Sequence, residues 1–298
     1  MVALGYGMYG HVRTSPEIRP VLDEQTRWQI ARMACDADTI ARLETADKEQ
    51  FAEITDQAWE GLAWSWQMRF GQPLVTWYTQ ELIDTGMVER VHRRVAGSDF
   101  SATPPGVCWV FNRFDIRRID GHFLHEWSET GQPKIIFNYR DPRDMTLSMV
   151  NFLGGATGKG FSAYNDFPVW SDILKSKATQ AEQLSYALTD PCFPAAQDLH
   201  RMYWLLNHPA VCKTSFEDLV GPSGGGSADA QDQTLRRILD FLGVTDKRPE
   251  DVAERLFNRS AFSFFRGQIG TWRETFNDEH RRLANARYGD VLSHYGYE

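Results

Sequence analysis

Arg140 and Ser148 are the residues whose types and spacing point most directly to chemistry. They fall in the run Lys134 to Ser148, where Ile135, Ile136 and Phe137 make a short apolar stretch, Asp141-Pro142 breaks it, and the apolar spacing from Arg143 to Phe152 is that of a helix. Arg140 is therefore expected at the carboxyl end of a buried strand, with Ser148 on the helix that follows. In open α/β sheets ligands gather outside such strand ends, and a helix that starts there turns unbonded N–H groups and a positive dipole end toward an anion. A guanidinium presents a planar fork of donors that matches phosphate oxygens, and a hydroxyl adds another bond. The pair suits a phosphate monoester. The alternative for Arg140 is a structural ion pair with Asp141 or Asp144.

An apolar strand, Arg-Asp-Pro-Arg-Asp, and a serine eight residues past the first arginine together resemble the 3′-phosphate element of sulfotransferases that use 3′-phosphoadenosine 5′-phosphosulfate (PAPS). Three more segments follow in that family's order. Ser215 to Gly221 with Gly224-Gly225-Gly226 resembles the strand and loop of bacterial members, and Leu235 to Val244 resembles their next helix. Phe264 to Phe276 resembles the C-terminal loop that closes over the same phosphate, with Arg266 and Gly267 adjacent and Phe265 where the family carries a basic residue. The resemblance runs from about Gly121 to Glu298. It implies that Arg140, Ser148, Arg266 and Gly267 bind the 3′-phosphate. It also implies that His122, in Asp120-Gly121-His122-Phe123, is the base that takes the acceptor's proton, with His125 and His11 as competitors.

The donor's 5′ end departs from the family pattern, because the chain has no literal copy of the Pro-Lys-Ser-Gly-Thr-Thr-like loop. Two segments could replace it. In the first, the glycine-rich Gly5 to Gly10 leads to His11-Val12-Arg13-Thr14-Ser15; Gly10 would allow close backbone approach, Thr14 and Ser15 would offer hydroxyls, and Arg13 would take the lysine's electrostatic role. The second is Gly71 to Trp77, where Pro73 lacks an N–H and Leu74 and Val75 would crowd a phosphate. Phe262 and Trp77 are the alternatives for stacking on adenine, whereas Trp272 and Phe276 read as core aromatics.

Several elements must position these residues. A short strand is expected at Val2 to Leu4, a helix start near Pro16 or Pro20, a long amphipathic helix over Lys48 to Phe70, and another helix over Leu74 to Gly86. Strands are expected at Val107 to Phe111, Arg117 to Phe123 and Val211 to Phe216, and a helix at Leu199 to Asn207. Gly154 to Ser171 reads as a loop beside the acceptor, and Pro222 to Asp229 as a flexible surface loop. An aromatic set (Trp64, Trp66, Trp77, Tyr78, Trp127, Phe161, Tyr164, Phe167, Trp170) is available both to a core and to an acceptor cleft.

Composition fits one domain. At 298 residues and 42% hydrophobic, the chain can bury one substantial core. A net charge of −8 argues against nucleic acid or an anionic membrane as main partner and favours neutral or cationic small-molecule acceptors. No apolar run reaches spanning length, and Cys35, Cys108, Cys192 and Cys212 lack metal-ligand spacing, so reduced core thiols in a cytoplasmic protein are expected. A homodimer is compatible with this composition.

The fold implied is a single α/β domain over residues 1–298, P-loop-like and three-layered, with a central mainly parallel sheet flanked by helices. The function implied is sulfuryl transfer from PAPS, without a metal, to a hydroxyl or amine. Two alternatives stay open: a P-loop kinase or nucleotide hydrolase, disfavoured by the lack of Gly-Lys-Ser/Thr, and a non-catalytic nucleotide-binding protein with a degenerate loop.

Overall fold

The computed structural model describes residues 4, 7–9, 22–71, 77–78, 81–82, 84–103, 107–109, 116–155, 166–196, 198–257 and 266–297. Gly10, Arg13, Thr14 and Ser15, the first-choice 5′ loop, lie outside them, as do Phe161, Tyr164 and Phe262. The described strands are β1 (Gly7–Tyr9), β2 (Trp77–Tyr78), β3 (Glu81–Leu82), β4 (Val107–Trp109), β5 (Ile135–Tyr139) and β6 (Val211–Ser215). The chain is mostly helical and broadly α/β, and β1 with β4 and β5 with β6 form parallel pairs. Contacts divide it into two compact units, one of residues 1–76 and 81–133, the other of residues 77–80 and 134–298. No helix among the described residues is long and apolar enough to cross a membrane.

The first unit holds α1 (Glu24–Ala34), α2 (Ala37–Thr45), α3 (Lys48–Arg69), α4 (Thr85–Val95) and α5 (Gly121–Thr130). Each is preceded by an aspartate, Asp23, Asp36, Asp47, Asp84 or Asp120, whose carboxylate accepts a first-turn N–H. A carboxylate there satisfies an orphan donor and also meets the positive end of the helix dipole. The long α3 matches the expected helix, but its second half is enclosed on most sides: Trp59, Leu62, Ala63, Trp64 and Trp66 are all buried. Gly61 lets α4 approach, since a Cβ there would stand 2.6 Å from both Met87 and Val91. Trp66, Phe70, Phe100 and Phe123 pack edge to face, with centroids 4.6 Å apart for Trp66–Phe100 and 4.4 Å for Phe70–Phe123.

Three expectations for the first 133 residues are corrected. The first strand falls on Gly7–Tyr9 inside the glycine run, and Leu4, the described residue of the expected strand, is not in one. The described residues of Leu74 to Gly86 do not form the expected single helix: Trp77–Tyr78 and Glu81–Leu82 are the strands β2 and β3, and α4 starts only after its cap at Asp84. Arg117 to Phe123 is not a strand. A 3-10 turn covers Ile116–Arg118 and α5 starts at Gly121, because Ile119, Phe123 and Trp127 recur every fourth residue and Asp120 supplies the cap.

In the second unit the parallel β5–β6 pair runs in register from Ile135 opposite Val211 to Tyr139 opposite Ser215. Its helices are α6 (Pro142–Leu153), α7 (Phe167–Lys175), α8 (Gln180–Thr189), α9 (Tyr203–Asn207), α10 (Phe216–Leu219), α11 (Ala228–Leu242), α12 (Pro249–Ala253), α13 (Trp272–Thr275) and α14 (Asp278–Tyr295). Leu147, Val150 and Leu153 of α6, Leu184 and Leu188 of α8, and Ala284 and Tyr288 of α14 are buried. Inside that core the Thr146 hydroxyl donates to the Pro142 carbonyl at 2.8 Å and shares one hydrogen bond with the Tyr288 hydroxyl, also at 2.8 Å. The described end of the expected acceptor loop is helical from Phe167, and Phe167 is buried, like Trp64, Trp66 and Trp127, so these four are core. Cys212 is buried as expected, whereas Cys192 is exposed.

The glycine-rich stretch after β6 is a packed turn and not a flexible loop. Gly221 and Gly225 have φ of +62° and +86°, a 3-10 turn spans Pro222–Gly224, and the Gly226 N–H donates to the Gly221 carbonyl at 2.8 Å. Its glycines are needed for fit, since a Cβ on Gly224 would lie 2.5 Å from the Gly267 carbonyl oxygen.

One partly buried pair gives the first unit a pH dependence. His92 on α4 has Nδ1 2.9 Å from the Ser65 hydroxyl on α3, and burial, helped by the nearby Arg69 charge, holds its pKa below the ordinary 6.5. The unfolded chain then binds more protons than the folded one below that value, so the His92 contribution is present above about pH 6.5 and is lost as pH falls through the lowered value. His92→Gln is expected to flatten the fall in thermal midpoint between pH 7.5 and pH 5 relative to the wild type, measured by circular dichroism melts. Equal slopes in the two proteins would refute the assignment.

Candidate functional site

Register brings the first two site residues together. Tyr139 and Ser215 are the last paired residues of β5 and β6, so Arg140 and Phe216 leave neighbouring strand ends side by side. The Arg140 guanidinium lies over the Phe216 ring, 4.2 Å from its centroid. Asp141 then caps α6, accepting from the Arg143 N–H at 2.8 Å, with Pro142 in the first turn where its missing N–H costs nothing. Asp144, Leu147, Ser148 and Asn151, spaced three or four apart, place their side chains along one face of α6.

The two arginines of Arg-Asp-Pro-Arg-Asp have separate tasks. Arg143 is locked in a two-pronged bond to Asp141, Nε to Oδ1 at 2.9 Å and Nη2 to Oδ2 at 2.8 Å, and stacks 3.9 Å from the Trp272 ring centroid. The Trp272 indole N–H also donates to Asp141, at 3.1 Å. Arg140 is held more loosely: its Nη2 donates to the Gln268 carbonyl at 2.7 Å and stands 3.7 Å from Asp144 Oδ2, while its buried Nε has no acceptor among the described residues. The ion pair with Asp144 exists, and it leaves part of the guanidinium uncommitted.

Asp144 fixes the C-terminal loop. Its side chain is 0% exposed and accepts the Gly270 N–H at 2.6 Å, the Thr271 hydroxyl at 2.8 Å and the Trp272 N–H at 3.0 Å. A second tie runs from the Ile269 N–H to the Gly224 carbonyl at 3.0 Å, and the Gln268 amide donates to the Ser223 carbonyl at 3.0 Å. The chain end adds a third. The Tyr297 hydroxyl donates to Glu217 at 2.7 Å, the other Glu217 oxygen accepts the Asp141 N–H at 3.1 Å, and burial with the Glu217 charge pushes the Tyr297 phenol well above its usual range.

These ties close a cavity of about 500 Å³ whose lining includes Arg140, Ser148, Arg266 and Gly267 together. Four of the nine predicted site residues thus meet in one place. Phe216, Leu219, Val220, Leu256 and Phe257 form its apolar wall, and Asn151 and Gln180, joined by a 2.8 Å amide hydrogen bond, add a neutral polar edge. The cavity sets an apolar wall against a larger set of polar and charged groups that converge on it, as small-molecule sites with a charged end do. Sequence reasoning missed Phe216, Gln268 and the wall residues Leu256 and Phe257. Phe216 was readable in principle, because a residue one past the neighbouring parallel strand must lie beside Arg140; Gln268 acts through its backbone, which no side-chain pattern reports.

His122 belongs to the first unit. It occupies the first turn of α5, its backbone N–H donates to Asp120 Oδ1 at 3.0 Å, and its Nε2 is 2.9 Å from Asp99 Oδ1. The side chain is 43% exposed, so the imidazole is open to solvent. His125 is exposed on the same helix, and His11 lies outside the described residues. Trp272 and Phe276 are buried, as core aromatics should be.

Asp144→Ala would leave three loop donors without an acceptor, and is expected to cost about 3 kcal/mol or more in urea unfolding, with faster amide exchange at Gly270 and Trp272. Asp144→Asn, which keeps one acceptor oxygen, should lose less. Unchanged exchange at both amides in the alanine variant would show that the loop does not depend on this carboxylate. Comparisons with protein-family models, curated proteins and solved structures return no match to this chain, so the site stands on its own geometry.

Proposed function

We propose that the protein is a sulfotransferase that moves the sulfuryl group of PAPS to a hydroxyl or amine of a small neutral or cationic acceptor. The observation that carries this reading is the convergence of Arg140, Ser148, Arg266 and Gly267 on one cavity, with the buried Arg140 Nε lacking an acceptor among the described residues. A buried charged donor without a partner is costly, and a phosphate oxygen is the acceptor that a guanidinium fork fits best. Ser148 would add a hydroxyl, Arg266 a second charge, and Gly267 a backbone that a ligand can approach closely. The apolar wall would take the nucleoside.

In the proposed reaction the acceptor oxygen or nitrogen attacks sulfur in line, its proton passes to His122, and the bond between sulfur and the bridging oxygen breaks, leaving 3′-phosphoadenosine 5′-phosphate. Positioning and charge neutralisation would supply most of the rate. The segment from Gly10 to Ser15 would hold the 5′ end. The finer fold expectation, a three-layer P-loop-like arrangement about a central mainly parallel sheet, belongs to the same proposal, as does a cytoplasmic location.

Arg140→Ala is expected to weaken binding of 3′-phosphoadenosine 5′-phosphate by about 2–4 kcal/mol in isothermal titration calorimetry; wild-type affinity in this variant would remove the phosphate assignment. With radiolabelled PAPS and a panel of hydroxyl and amine acceptors, the wild type should transfer label and His122→Ala should turn over about a hundredfold more slowly while still binding the nucleotide. A wild type that binds nucleotide and transfers nothing would be a binding protein.

A further inference from the structure

The surroundings of His122 form a built arrangement that the chemistry above does not use. Asp99 opens the 3-10 turn Phe100–Ala102, yet its carboxylate makes no capping bond to that turn. The turn's free N–H groups are taken by another side chain: Phe100 and Ser101 donate to the two carboxylate oxygens of Glu126, at 2.6 and 3.1 Å. Glu126 is buried and lies on α5 one turn after His122, so a single helix carries both the anchor of the turn and the imidazole that the turn meets. Relieved of capping, the Asp99 carboxylate faces His122, Oδ1 to Nε2 at 2.9 Å.

Arg69 fixes the same geometry from behind. Its side chain is 2% exposed and its guanidinium lies over the Trp66 ring, 4.2 Å from the centroid. It donates from Nε to Asp120 Oδ2, while Asp120 Oδ1 holds the His122 backbone, and from Nη1 to the Ser98 carbonyl at 2.7 Å, one residue before Asp99. Both flanks of the Asp99–His122 contact are thus tied to one buried cation.

We propose that Asp99 is a positioning residue that holds His122 as the Nε2–H tautomer and so reserves Nδ1 for the acceptor's proton. The proposal rests on the reading of His122 as the base of the transfer. Among the described residues Nδ1 makes no hydrogen bond. As the acceptor oxygen bonds to sulfur, its proton moves to the lone pair on Nδ1, the Nε2–H stays donated to Asp99, and the resulting imidazolium is stabilised by that carboxylate. The electron pair of the broken sulfur–oxygen bond leaves with the 5′-phosphate.

The test is ¹⁵N NMR of histidine-labelled protein, with His122 assigned through His122→Gln, beside steady-state kinetics with PAPS. In the wild type at alkaline pH, His122 should show the shifts of the Nε2–H tautomer. In Asp99→Asn, whose amide can donate to Nε2, the population should move toward Nδ1–H. Its kcat should fall by about tenfold to a hundredfold, with KM for PAPS and the thermal midpoint unchanged, a split that a general loss of structure would not produce. An Nδ1–H signal already in the wild type, or an Asp99→Asn protein with the wild-type tautomer or wild-type kcat, overturns the proposal. Should the tautomer switch as expected in a protein that transfers nothing from PAPS, the transfer reading falls and the role of Asp99 in fixing the ring stands.

Discussion

The second unit depends on one buried carboxylate. Asp144 accepts from three donors that lie more than a hundred residues further along the chain, at Gly270, Thr271 and Trp272. A buried carboxylate is tolerated only where hydrogen bonds replace the water it has lost, and this one accepts from backbone and hydroxyl groups, with the Arg140 guanidinium 3.7 Å away. The arrangement couples two tasks. It fixes the loop bearing Arg266 and Gly267 against α6, and by meeting its needs with neutral donors it leaves Arg140 only partly engaged. Had Asp144 formed a close two-pronged pair with Arg140, as Asp141 does with Arg143, the cavity would hold a neutralised arginine and little pull on an anion.

The parts of this architecture that were legible in the sequence are those governed by local rules. The strand 135–139, the start of α6 at Asp141-Pro142, the helix from Lys48 and the strand 211–215 follow from apolar runs, caps and breakers, which act within a few residues. The co-location of Arg140, Ser148, Arg266 and Gly267 was legible only through motif order, since nothing local in Arg266-Gly267 announces its neighbours. The failures have physical causes. Ile119, Phe123 and Trp127 carried a helical period that the apolar content of Arg117 to Phe123 concealed, and β-prone residues around Trp77 outweighed an apparent helical spacing. The glycines at 221–226 were read as freedom, whereas three backbone segments converge there and require the absence of side chains.

The first unit solves a different problem with the same chemistry. Five helices begin at aspartates that cap them, and at one further turn the capping is delegated: Glu126 takes the N–H groups of Phe100 and Ser101, and Asp99 is freed for His122. Such delegation is invisible to pattern rules, which would assign Asp99 to its own turn. Arg69, lodged on Trp66, ties the turn, the start of α5 and the end of α4 together through Ser98, Asp120 and Val95.

Gly224 sets how closely the turn after β6 can approach the loop that bears Arg266 and Gly267. At that point two stretches of main chain touch, with the Gly267 carbonyl 2.5 Å from where any β-carbon would stand. That approach is therefore set by peptide geometry, which no exchange of one amino acid for another can tighten further. Variation in the cavity's size or polarity therefore falls to side chains of its wall, such as Leu219, Leu256 and Phe257, while the spacing between Gly224 and Gly267 stays constant.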